Sequence, residues 1–153
     1  MFNIVLHEPE IPHNTGAIGR TCVVTGCRLH LIRPLGFAIN EATLKRSGLD
    51  YWHELDVTIY DDMDDFTTKN PDANIYYVET CAVKSYDKVT YKPGDFLMFG
   101  KETAGLPKKL TDANYEKCIR LPMLEGARSF NLSVAAGIVV YEAMRQNGFG
   151  ECK

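Results

Sequence analysis

An α/β fold, a largely parallel sheet flanked by helices, is the architecture this sequence predicts, and two patterns predict it. Short apolar runs recur along the chain and are continuous rather than alternating in polarity, as strands covered on both faces are. Segments of helical spacing separate these runs, and strands alternating with helices build parallel sheets. Size agrees. At 153 residues, 45% of them hydrophobic, residues 1–153 read as a single domain with a full core.

The first strand is expected at residues 2–6, in the run FNIVL, and the first helix at 15–25 after a Pro-rich loop. A second strand at 29–32 and a helix at 41–49 follow. The next strand, 57–60, leads to a helix at 62–69 that opens on DDMDD, where carboxylates favour the helix dipole. Strands at 75–78 and 96–99, a short helix at 106–113 and a strand at 119–121 complete the sheet. The final helix, 131–146, carries two apolar stripes. Leu132, Ala135, Ala136, Val139, Val140 and Ala143 suit packing on a sheet. Val134, Ile138, Tyr141 and Arg145 form a second stripe, either buried within the chain or serving as a homodimer interface with Tyr141 and Arg145 as anchors.

The start MFNIVLHEPE has neither a basic leader nor a long apolar stretch, and no segment approaches a membrane span, so a soluble cytoplasmic protein is expected. Five cysteines without a C-x-x-C pair suggest neither a disulfide framework nor a zinc site. A net charge of −3 argues against gripping a polyanion by bulk positive charge. Four of the acids sit together in Asp61 to Asp65, however. The remainder includes Arg20, Arg28, Arg33, Lys45, Arg46 and Arg128, which a fold could gather on one face.

Chemistry concentrates in loops at three strand exits. In HEPEIPHNTGAIGR, Arg20 either presents its guanidinium to a phosphate or reacting oxygen, or is a surface residue behind an Asn14 N-cap. His7 and His13 flank this loop and read as surface residues. In FGKETAGLP, Gly100 and Gly105 permit close backbone approach and Pro107 starts a helix. Glu102 between them either holds loop amides or helps to fix a ligand or an Arg. In IRLPMLEGARSFNLSVAAG, Ser129 and Asn131 are both candidate N-caps of the last helix. The apolar run at 121–124 before them suits an adenine-sized ligand edged by backbone polar groups. Two such exits close together can line one small-molecule pocket. No G-x-G-x-x-G, P-loop, G-x-S-x-G or H-E-x-x-H pattern offers a competing chemistry.

Together, NTGAIGR, FGKETAGLP and IRLPMLEGARSFNLSVAA resemble the three ordered motifs of the SPOUT superfamily of RNA methyltransferases, and the short chain resembles its TrmL (YibK) group over about residues 1–148. The resemblance implies S-adenosyl-L-methionine as cofactor, held by Val78, Glu79, Thr80, Gly100, Leu121, Met123 and Ser129. It implies a catalytic set of Arg20, Glu102 and Asn131, with Arg20 acting at the target ribose. It further implies a deep trefoil knot in the C-terminal third and a homodimer through the last helix. The substrate would be the anticodon loop of tRNA, methylated on the 2′-hydroxyl of nucleotide 34, cytidine or a modified uridine in leucine tRNAs. No separate RNA-binding domain is expected. A 2′-O-methyltransferase acting at another tRNA or rRNA ribose, or a non-catalytic RNA-binding module, are the alternatives.

Overall fold

The structure, a computed structural model, describes residues 1–40 and 51–153; the helix expected at 41–49, with Lys45 and Arg46, lies outside the described residues. In chain order the described elements are β1 (Asn3–His7), α1 (Pro12–Thr25), β2 (Arg28–Ile32), β3 (Val57–Tyr60), α2 (Met63–Lys69), β4 (Ile75–Val78), β5 (Phe96–Phe99), α3 (Lys108–Ala113), β6 (Cys118–Ile119) and α4 (Leu132–Gln146). The six strands pair in parallel throughout, in the order β3-β2-β1-β5-β4-β6.

The continuous apolar strands are explained by two covered faces. On one face Ile4, Leu6, Leu29, Leu31, Leu97 and Phe99 pack with Ile18 and Cys22 of α1 and with Val139 and Val140 of α4. On the other, Val5, Ile32, Tyr77 and Met98 pack with Phe66 of α2 and Leu106 ahead of α3. Successive residues of one strand thus serve opposite layers. Each fully buried Leu or Ile contributes about 1.5–3 kcal/mol.

Two local expectations change, and one open alternative is decided. The first helix begins at Pro12, its ring suited to the first turn, and Ile11 is the N-cap with no side-chain cap bond. Asn14 therefore lies inside the helix and is buried, not an N-cap. His7 is buried at the end of β1 rather than on the surface, and burial lowers its pKa; His13 is exposed. In α4 the first stripe is buried at Ala136, Val139, Val140 and Ala143, but Val134 and Tyr141 of the second are 49% and 51% exposed, so that stripe is not covered within the chain. Its Arg145 pairs with Glu142 at 2.8 Å.

A buried polar network ties β1, β2 and β3 together. His30 of β2 lies 3.1 Å through Nε2 from Asn3 Oδ1, an acceptor, which assigns the ring proton to Nε2; Nδ1 then accepts from the Tyr60 hydroxyl at 2.9 Å. Asn70 Nδ2 donates to the same Tyr60 oxygen at 3.2 Å. Burial lowers the His30 pKa to about 4, opposed by nearby Asp56. The unfolded chain, with an ordinary histidine near 6.5, binds this proton more readily, so stability contributed here is complete above about pH 6.5 and is lost as the pH falls toward 4. Its full size is about 3 kcal/mol, and His7 adds in the same direction. Urea unfolding from pH 7 to 4 checks this: the wild-type midpoint should fall, and His30→Gln should start lower and fall less. An equal slope in both proteins would contradict it.

Candidate functional site

The sheet reverses its direction of growth between β1 and β5, and a crevice opens there at the carboxyl ends of the parallel strands, where ligands bind in open α/β sheets. Its volume is about 530 Å³, within the usual range for small-molecule sites. The segments after β1, β4, β5 and β6 and the start of α4 line it.

Val78, Glu79, Thr80, Gly100, Glu102, Leu121, Met123, Ser129 and Asn131 all line this one cleft. Arg20 does not. It is exposed on α1, six residues beyond Asn14, which at helical rise places it about 9 Å further along the axis. Its guanidinium carbon sits 5.0 Å from the centre of the Tyr51 ring, whose hydroxyl donates to the Gly16 carbonyl. That stacking orients the guanidinium while leaving its residue exposed.

Glycine is obligatory on the floor. A Cβ on Gly100 would overlap the Gly105 carbonyl carbon and the Leu106 nitrogen. The turn that crosses above it is closed by Gly105 N donating to Lys101 O at 2.9 Å and Lys101 N to Gly105 O at 3.2 Å. Gly105 itself has φ +69° and lies against the Glu79 carboxylate, which accepts from the Leu106 amide. The Glu79 side chain thus braces the turn.

Glu102 and Asn131 are joined through Asn14. The Glu102 carboxylate accepts from the amides of Glu10 at 2.8 Å and Ile11 at 3.1 Å, and from Asn14 Nδ2 at 3.2 Å. Asn14 Oδ1 accepts in turn from Asn131 Nδ2 at 3.0 Å. Asn131 Oδ1 caps α4, accepting from the amides of Ser133 at 2.9 Å and Val134 at 3.4 Å. Of the two candidate caps, Asn131 therefore serves and Ser129 stays exposed on the cleft. The polar atoms of Glu102 and Asn131 are thus engaged with Asn14, with the amides that lead into α1 and with the start of α4. Asn14 is the hub that the sequence did not reveal; its pattern signalled a cap, and only the early start of α1 turns it inward.

The basic residues are partly committed. Arg28 pairs with Asp56 at 2.8 Å and Arg33 with Asp61 at 3.1 Å, both at the surface; Arg128 is exposed beside the cleft segment. Among the described residues no group of three or more His, Cys, Asp or Glu could hold a metal ion, and no helix is long and apolar enough to cross a membrane.

A cleft at the carboxyl ends of parallel strands, lined by the loops that leave them and by the start of the last helix, is the ligand site of an α/β enzyme that works on or with a small molecule. Residues 1–141 match the SpoU rRNA Methylase family, and the chain belongs to that family of methyltransferases. An Escherichia coli K12 relative, tRNA (cytidine(34)-2′-O)-methyltransferase, is 47% identical over 97% of this chain and 96% of its own. The relative of the same description from Saccharophagus degradans is 46% identical over 100% of both chains. A solved structure described as giving insights into the 2-OH methylation of C/U34 on tRNA superposes with a TM-score of 0.90 at 39% identity, covering 97% of each chain.

Proposed function

We propose that this protein transfers a methyl group from S-adenosyl-L-methionine to the ribose 2′-hydroxyl of the wobble nucleotide, position 34, cytidine or a modified uridine, in leucine tRNAs. The full-length likeness to two chains described as tRNA (cytidine(34)-2′-O)-methyltransferases, together with the intact cleft, carries this reading.

The residues present fit the cofactor. Leu121 and Met123 offer apolar surface, Ser129 offers an exposed polar side chain, and Gly100 lets the 101–106 turn close over the end of β5, where a Cβ would meet the Gly105 and Leu106 backbone. When bound, S-adenosyl-L-methionine supplies an electrophilic methyl group on a sulfonium. The protein's task is then to orient the ribose oxygen and assist its loss of a proton. Guanidinium stays protonated in proteins, so Arg20 is no base. It fixes the neighbouring phosphate and stabilises developing negative charge on the 2′-oxygen. Glu102, through the amides of Glu10 and Ile11, sets the entry of α1 and hence the position of Arg20.

The working form in this reading is a homodimer through α4. Val134 and Tyr141 are exposed, Ile138 is half-buried between them, and Phe149 lies near Tyr141 with ring centroids 6.4 Å apart. Such a contiguous apolar face marks an interface. Arg20, outside its own chain's cleft, then meets RNA that spans both subunits. A deep trefoil knot also belongs to this reading. Supporting it, the 84–91 segment is hydrogen-bonded to Arg120 on one side and to Gln146 and Asn147 of the C-terminal region on the other.

Methyl transfer from labelled cofactor to leucine tRNA tests the reaction, with an otherwise identical tRNA carrying 2′-deoxycytidine at position 34 as the comparison. Transfer to the first and none to the second is expected; equal transfer would place the methyl elsewhere. For the assembly, Tyr141→Glu should give monomers by sedimentation and lose at least about 10-fold in tRNA methylation, an interface-anchor effect. Full turnover by a verified monomer would contradict the two-subunit substrate site.

A further inference from the structure

Where β1 and β5 part, their loops hold each other by exchanged carboxylates. Glu102 of the β5 loop accepts from the Glu10 and Ile11 amides. In return, Glu10 of the β1 loop accepts from the Thr103 amide at 3.0 Å and from the Thr103 hydroxyl at 2.8 and 3.0 Å. Lys101 adds an ion pair to Glu8 at 2.5 Å. Gly36 closes the far side: its amide donates to Pro9 O at 2.9 Å, and a Cβ there would overlap the Glu10 backbone. Glu10 is therefore backed by main chain while its carboxylate points at the opposite loop.

The two halves of this exchange face different tasks. The bonds to Glu102 secure the amides that lead into α1 and Arg20. Those to Glu10 secure Thr103, at the tip of the 101–105 turn that forms one wall of the cleft. We propose that Glu10 is a positioning residue for cofactor binding: its two-point grip on Thr103 fixes the 101–105 wall in the shape that the cofactor meets. The proposal rests on the reading of the cleft as an S-adenosyl-L-methionine site. Apart from this grip, the turn is held by its own Lys101–Gly105 bonds, by the Lys101–Glu8 pair, by Glu102 on the Glu10 and Ile11 amides and by Glu79 at Leu106, whereas Thr103 itself is held by Glu10, so releasing it loosens the tip between Glu102 and Gly105. Hydrogen bonds to an ionised acceptor are about twice as strong as neutral ones, and these hold the Glu10 carboxyl below the usual range. A wall fixed before binding spares the ligand the cost of ordering it.

Two readouts on the full chain test this: hydrogen–deuterium exchange of the 100–106 segment without cofactor, and calorimetric affinity for S-adenosyl-L-methionine. Glu10→Ala should raise exchange in that segment and weaken cofactor affinity by about 5-fold, a size set by charge-assisted bonds at a partly exposed site, and Thr103→Val, which keeps the bond from its amide, should do both to a smaller extent. Thr103→Ser, which keeps the hydroxyl, should restore both values. The Glu10→Ala/Thr103→Val pair should be no worse than Glu10→Ala alone, because Glu10→Ala already removes both the amide and the hydroxyl bond. In turnover, the KM for cofactor should rise by more than kcat falls. Unchanged exchange and affinity in Glu10→Ala would overturn the proposal, as would loss of kcat with cofactor affinity intact. If the wild-type protein bound no S-adenosyl-L-methionine, the cofactor reading itself would fall, and this role of Glu10 with it.

Discussion

Gly100→Ala is expected to remove cofactor binding altogether. The added methyl would overlap the Gly105 carbonyl carbon and the Leu106 nitrogen, both backbone atoms of a turn already pinned by Glu79 and by the Lys101–Gly105 pair. Relief requires the whole 101–106 segment to move, and with it the cleft wall. Overpacking of this kind costs about 1–3 kcal/mol. The sheet beneath is untouched, so the protein should still fold, with a lowered urea midpoint and no calorimetric signal for S-adenosyl-L-methionine. Gly26, where a Cβ would meet nothing within 4 Å but φ is +69°, supplies the control: Gly26→Ala should cost stability without losing the cofactor. Normal cofactor affinity in Gly100→Ala would show that the ligand does not use this floor.

Arg20→Ala should behave in the opposite way. Because Arg20 does not line the cleft, cofactor affinity should stay at the wild-type value. Turnover on tRNA should fall by about 10²–10³-fold, the range for removing one stabilising donor from a developing oxyanion. Arg20→Lys separates charge from geometry. Lysine supplies the positive charge without the planar fork, and it stacks less well over Tyr51, which holds the guanidinium in place. The Lys variant should therefore stay at least about 10-fold below wild type across the pH range, since the loss is one of bidentate geometry. Full activity with an unchanged pH–rate profile would remove the positioning role from Arg20.

The strands were legible because burial on both faces writes an uninterrupted apolar run, and all six fall within about two residues of the runs that signalled them. Helix starts were less so. The first began three residues early because Ile11 caps it without a side-chain bond, leaving no Ser, Thr or Asn at the boundary to mark it. That displacement decides the site: it turns Asn14 from a cap into the buried link between Glu102 and Asn131. The motif residues of three loops could be placed on strand exits from sequence, but their mutual contacts could not. Glu10 and Thr103 lie 93 positions apart, and neither carries a local pattern, so only the β1–β5 pairing brings them together. In α4 the second apolar stripe was visible as spacing, whereas its exposure depends on which face the sheet takes. The acidic run at 61–65 opens its helix as expected, with Asp62 accepting from the Asp65 amide at 2.8 Å and Lys69 pairing with Asp65, while Asp61 reaches Arg33 beyond β2.

Mapping ribose methylation on cellular tRNA tests the central claim most directly. RNA from cells lacking this protein should be compared with RNA from the same cells carrying either the wild-type chain or Arg20→Ala. The 2′-O-methyl group at nucleotide 34 of leucine tRNAs should be lost without the protein, restored by the wild-type chain and not restored by Arg20→Ala. Methylation at nucleotide 34 that persists without the protein, or a loss that maps to another tRNA or rRNA ribose, would contradict it.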